Sequence, residues 1–138
     1  MRPYIICHML SSVDGKIGGA ALDAFTGDGE YEATGAKLNG DAWICGRTTM
    51  QQHFAEDEPF VSGSNTPAGP RPVFVARRAK FYAISVDTLG KLRWPDGNLG
   101  SDHLIVVVSE QVPEDYLPML RESPISSPES PLSISLMP

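Results

Sequence analysis

The run Asp41-Ala-Trp-Ile-Cys45, continued by Gly46-Arg47-Thr48-Thr49-Met50, decides the fold class. Its first part is short and continuously apolar, the pattern of a strand covered on both faces and therefore central in a sheet. Its second part turns to small, hydroxylic and charged residues and then to a helix-compatible composition over residues 47–54. Gly46 allows a tight bend, and Thr48 or Thr49 can cap the first helical turn. A strand, a turn and a helix in that order form one α/β unit. An earlier run, Arg2-Pro-Tyr-Ile-Ile-Cys-His-Met-Leu10, reads as a strand and empties in the same way into Ser11-Ser12-Val13-Asp14-Gly15-Lys16. Both transitions suit the carboxyl end of an open α/β sheet, where a phosphate-bearing ligand binds.

Working outward, residues 31–38 have helix-compatible composition and stop at Asn39-Gly40. Residues 56–70 carry three prolines and Ser-Gly-Ser-Asn-Thr, which predicts a long surface loop. Residues 72–76 read as a buried-type strand, Arg77-Arg78-Ala79-Lys80 as a basic cluster, and residues 81–86 again as a strand. The turn signals at Gly90 and in Trp94-Pro-Asp-Gly97 predict an excursion before the clearest strand, His103-Leu-Ile-Val-Val-Val108. Residues 113–122 begin as a helix, with Pro118 as its internal irregularity. From Ser123 onward Ser and Pro dominate without a period able to bury a face, so residues 123–138 are expected to be a disordered tail behind a domain at 1–122.

A chain of 138 residues holds one core at most. Its net charge of −6 disfavours nucleic acid and anionic membranes as partners, although a local cationic site can still take an anionic cofactor. No stretch reaches the ~18 apolar residues of a membrane span, and no secretory signal opens the chain, which makes a cytoplasmic location the expectation. Cys7 and Cys45 both fall in predicted strands and read as small buried hydrophobes without disulfide or metal-ligand spacing.

Taken together, Val13-Asp14-Gly15-Lys16, the segment 41–50, the strands at 73–76 and 104–108, and Tyr116-Leu117-Pro-Met-Leu120-Arg-Glu122 resemble the reductase domain of riboflavin biosynthesis. That domain is the reductase half of a bifunctional deaminase-reductase and is similar in fold to dihydrofolate reductase. The resemblance runs over residues 2–122. It implies a mainly parallel α/β sheet with helices on both faces, a homodimer, and NADPH-dependent reduction of the ribosyl side chain of an aminopyrimidine phosphate to the ribityl form. It further implies that Ser12 and Asp14 lie at the reacting centre, Asp14 orienting rather than attacking, with Lys16 toward the substrate. Ser11, Gly46, Arg47, Thr48 and Thr49 would contact the cofactor, Arg47 facing its 2′-phosphate. His53 is a further candidate for a substrate phosphate or ribose, and no metal site is expected.

Each of these residues also has a plainer reading. Asp-Gly is a common turn dipeptide, Thr48 or Thr49 a helix cap, Arg47 a solvated cation and His53 a surface residue. Arg77 and Arg78 suit an anionic group or solvent equally. The chain also departs from the resemblance. Where an Asp-Asp-Pro element is usual, His53-Phe54-Ala55 stands, and Glu56-Asp57-Glu58-Pro59 comes a few residues late. After Glu122 the Gly-rich turn that cradles the cofactor pyrophosphate, and the closing strands, are missing. The sheet is therefore expected to be incomplete at its C-terminal side, with an unpaired edge. The alternative function is an inactive truncated fragment, or a non-catalytic binding module that completes its sheet with another chain.

Overall fold

A computed structural model describes residues 2–18, 28–122 and 133–137. The chain divides into two compact units, residues 1–40 and 41–138. In the first, helix α1 spans Asp28–Ala36, and Asn39 with φ 50° occupies the left-handed region just beyond it. This is the Asn-Gly stop expected from the sequence, with the helix body shifted toward its N-terminus. Residues 2–10 form no strand, and Tyr4, Ile5 and Met9 are exposed. The predicted first strand is therefore absent, and Cys7 is an exposed thiol rather than a buried one. An apolar run alone does not make a strand, since a ladder needs a partner for its N–H and C=O groups.

The second unit is a mixed α/β arrangement around a mostly parallel sheet. Strand β1 is Ala42–Gly46, helix α2 Arg47–His53, β2 Tyr82–Val86, β3 Asn98–Leu99, β4 Asp102–Ser109, helix α3 Tyr116–Glu122, and β5 Ser133–Met137. β1 pairs with β2, β2 with β4 and β4 with β5, all parallel, while β3 is antiparallel to β4. His103 and residues 105–107 pair with β2 on one side, so β3 and β5 must share the other edge of β4, one after the other. The edge expected to stand open is thus filled by part of the Ser/Pro-rich tail. Ile134, opposite Val106, is fully buried, and its backbone also pairs with Phe74 on the far side.

The register sorts the side chains. On one face Trp43 and Cys45, then Ala83 and Ser85, then Leu104, Val106 and Val108 line up across β1, β2 and β4. Small, fully buried Ala83 lets the Trp43 indole lie across β2 and donate to Asp102 at 2.8 Å. This face carries the core: Met50 of α2, Leu92, Trp94, Val112, and Tyr116, Leu117 and Leu120 of α3. Pro118 is the third residue of α3, inside the first turn where a helix has no intrahelical use for an N–H, so the irregularity costs nothing.

Three further readings need correction. β1 lies at the end of the strand order, with Ile44 61 % exposed, so it is not central. Residues 72–76 form no strand and contribute only the bridge at Phe74. Gly46 has ordinary extended angles and is itself the N-cap of α2 with no side-chain cap, so neither a special bend nor a Thr48 or Thr49 cap operates. The loop at 56–70 lacks helix and strand but is pinned. Ser62 and the Gly63 N–H bind Asp115 at 2.6 and 2.8 Å, and the Ala68 N–H binds the Val112 carbonyl at 2.8 Å.

Candidate functional site

Within the first unit, Ser12, Asp14 and Lys16 come together in one tight loop. The Gly15 N–H donates to the Ser12 carbonyl at 2.9 Å, Gly15 takes φ 80°, and the Ser12 N–H closes on the Lys16 carbonyl at 2.8 Å. That is a turn with a glycine in the left-handed position. The Ser12 hydroxyl donates to Asp14 Oδ1 at 2.5 Å and accepts from the Lys16 N–H at 3.0 Å. Lys16 Nζ sits 2.9 Å from Asp14 Oδ2. The Ser12 hydrogen bond, with Lys16 second, holds the Asp14 carboxyl below its usual range. A carboxylate so held stays ionised and orients donors; it is a poor proton source. Ser11 is exposed beside this loop.

Within the second unit, Gly46, Arg47, Thr48 and Thr49 follow directly from the carboxyl end of β1, and all are exposed. A Cβ built on Gly46 meets nothing within 4 Å, so the surface in front of this turn is open. Arg47 has no ion pair or side-chain hydrogen bond among the described residues. Its guanidinium is therefore free to meet an anion. Met50, one turn on, is fully buried and anchors α2 against β1 and β2. His53, in the last turn, is exposed and lies edge-on to Phe54 at 6.1 Å.

The same carboxyl end of the sheet holds a polar cluster that was not singled out from the sequence. Asp87, just past β2, is fully buried, and its Oδ2 accepts the Lys91 and Leu92 N–H groups at 2.7 and 2.8 Å. The Tyr116 hydroxyl lies 2.9 Å from the same oxygen and 2.7 Å from the Leu92 carbonyl, and its one proton serves one acceptor at a time. Burial, and then the Asp87 charge, push the Tyr116 phenol far above its ordinary range. Gly90, at φ 63°, lets the loop close over this ring, because a Cβ there would stand 3.0 Å from the Tyr116 side chain. The sequence signal was an acid placed directly after a strand, at the sheet end where polar groups gather.

A second cluster sits at the amino end. Arg77 Nε donates to Nδ1 of buried His103 at 3.3 Å, and its Nη2 donates to Asn98 Oδ1. Burial, and then the Arg77 charge, lower the His103 pKa and keep its ring neutral. Burial pushes the Cys45 thiol up, which leaves it protonated and unreactive. Among the described residues no group of three His, Cys, Asp or Glu side chains is placed to hold a metal ion, and no helix is long and apolar enough to cross a membrane. Compared with protein-family models, curated proteins and solved structures, the chain finds no match. The family resemblance accordingly rests on the sequence motifs.

Proposed function

We propose that the chain is an NADPH-dependent reductase of the riboflavin-biosynthesis type, with a dihydrofolate reductase-like sheet, working as a cytoplasmic homodimer on an aminopyrimidine phosphate. One observation carries this reading: an exposed Arg47, without an ion pair or hydrogen-bond partner among the described residues, and the hydroxyls of Thr48 and Thr49 stand at the carboxyl end of a parallel strand, beside Gly46, whose added Cβ would meet none of the described atoms within 4 Å. Those groups fit an anionic cofactor phosphate. NADPH would supply the hydride. Arg47, Thr48 and Thr49 would bind its phosphates. The Ser12–Asp14–Lys16 loop brings an ionised carboxylate and an ammonium 2.9 Å apart, a pairing suited to orienting a hydroxylated, phosphorylated substrate.

A second reading, the non-catalytic module, is favoured by β5. The strand beside β4 is Ser-Ile-Ser-Leu-Met, without a glycine to bring backbone N–H groups against a pyrophosphate. The outer edge of β1 has no strand partner among the described residues, and a second chain could pair there.

A thermal melt of the purified chain with and without millimolar NADPH separates the two. A ligand that binds only the folded state raises the midpoint by mass action. The reductase reading expects an upward shift, smaller with NADH. In Arg47→Ala it expects NADPH affinity reduced about tenfold to a hundredfold, since a hydrogen bond to a charged group contributes about 1.5–3 kcal/mol. A midpoint indifferent to NADPH overturns that reading and leaves the module.

A further inference from the structure

We propose that the second face of the sheet is a binding site for a small amphipathic anion, an alkyl or aryl carboxylate or sulfonate. Parallel strands are normally covered on both faces, because both carry apolar side chains. Among the described residues of the 41–138 unit, the core cluster occupies only one. On the other, Ile44, Ile84 and Ile105 stand in one row across β1, β2 and β4, with Tyr82 and His103 in the row before and Val86 and Val107 in a row after. Val73 and Val75 rise beside them, 58 % and 62 % exposed, on the segment whose Phe74 is pinned to Ile134 by backbone bonds of 2.9 Å in both directions. Of these, Val73 and Val75 as wall and Tyr82, Ile84, Ile105 and Val107 as floor border an open trough of about 630 Å³, within the range of about 300–1,000 Å³ that small-molecule sites occupy.

Charge selects the occupant. Arg77 and Arg78 line the trough, and no Asp or Glu does. Arg77 is held by His103 and Asn98, which fixes its guanidinium at the amino end of β4. Arg78 is exposed and has no carboxylate partner among the described residues. The Tyr82 hydroxyl accepts the Ala79 N–H at 2.8 Å, leaving its own proton to donate. An apolar floor closed at one end by two cations and a phenol matches a ligand with an apolar body and an anionic head. A second copy of the chain matches less well, since two identical concave troughs related by a two-fold axis cannot fill one another. The trough's two arginines are separate from Arg47, Thr48 and Thr49, which follow the opposite, carboxyl end of β1.

The test is titration of the full chain with decanoate, below its micelle-forming concentration and against 1-decanol, following displacement of the fluorescent sulfonate 1-anilinonaphthalene-8-sulfonate. Saturable one-to-one displacement by decanoate is expected. Arg78→Glu should weaken decanoate by about tenfold or more while leaving decanol within about twofold, the loss expected for one charge-assisted contact. Val75→Asp, on the exposed wall, should weaken both ligands, and an unchanged melting midpoint shows that each variant is folded. Equal decanoate binding by both variants and the parent overturns the proposal. So does binding to phosphatidylglycerol vesicles without binding to monomeric decanoate, or a light-scattering mass showing a dimer that Val75→Asp dissociates.

Discussion

At the residue scale the two arginines after the 72–76 segment show how position alone separates identical side chains. Arg77 turns back to His103 and Asn98, while Arg78 stays in solvent. The contact gives His103 a measurable role. Its pKa is lowered in the fold, so below the ordinary imidazole value of 6.5 the unfolded chain takes up a proton that the folded chain refuses. The contribution of His103 is therefore complete above that value and lost as pH falls beneath it, with a slope of at most about 1.4 kcal/mol per pH unit. Urea unfolding at pH 7.5 and 5.2 should show the stability falling, and His103→Gln should flatten the fall; an identical slope in that variant would contradict the assignment. Asp115, lowered chiefly by Ser62, and Asp14, lowered chiefly by Ser12, lose their contributions only further down, through the carboxylate range. Asp14 was legible as a turn residue from Asp-Gly. The Asp87–Tyr116 pair was not, because its members lie 29 residues apart and nothing local announces that they meet.

At the scale of elements, the strands with continuous apolar runs came out almost where composition put them. Residues 42–46, 82–86 and 102–109 differ from the expected spans by no more than a residue at each end. The failures share one cause. Residues 2–10 and 72–76 have strand-like composition but no ladder, whereas Ser-Ile-Ser-Leu-Met at 133–137, inside a tail expected to be disordered, forms β5. Backbone pairing depends on which edge is free, and the edge of β4 beyond β3 recruited β5. Ile134 is one of its anchors: its side chain is fully buried beside Val106, and its backbone bonds Phe74. Ile134→Ala should cost about 2–5 kcal/mol of unfolding free energy, the usual range for emptying such a site. A loss under about 0.5 kcal/mol, typical of a surface position, would mean that β5 does not hold that edge.

Among the described residues of the molecule, all the strands and the buried core cluster, from Met50 to Ile134, belong to the unit at 41–138. A chain beginning at Asp41 should therefore unfold cooperatively in urea, with a slope in proportion to its length and a midpoint near that of the full chain. A broad, non-cooperative transition would show that the core needs residues 2–40. Composition and apolar patterning determined the class of this protein: acidic, α/β, a mostly parallel sheet with a strand-to-helix step at Gly46, and the Asp-Gly turn at residues 14–15 as the plainer of two readings. These follow from local chemistry, from apolar runs, glycine placement and turn dipeptides. Only the tertiary structure decided which strands pair, which face of the sheet is covered, that β1 lies at an edge, and that Asp87 meets Tyr116 and Arg77 meets His103. Those outcomes depend on a competition among distant segments for the same hydrogen-bonding edges and the same apolar face, and no window of the sequence contains both competitors.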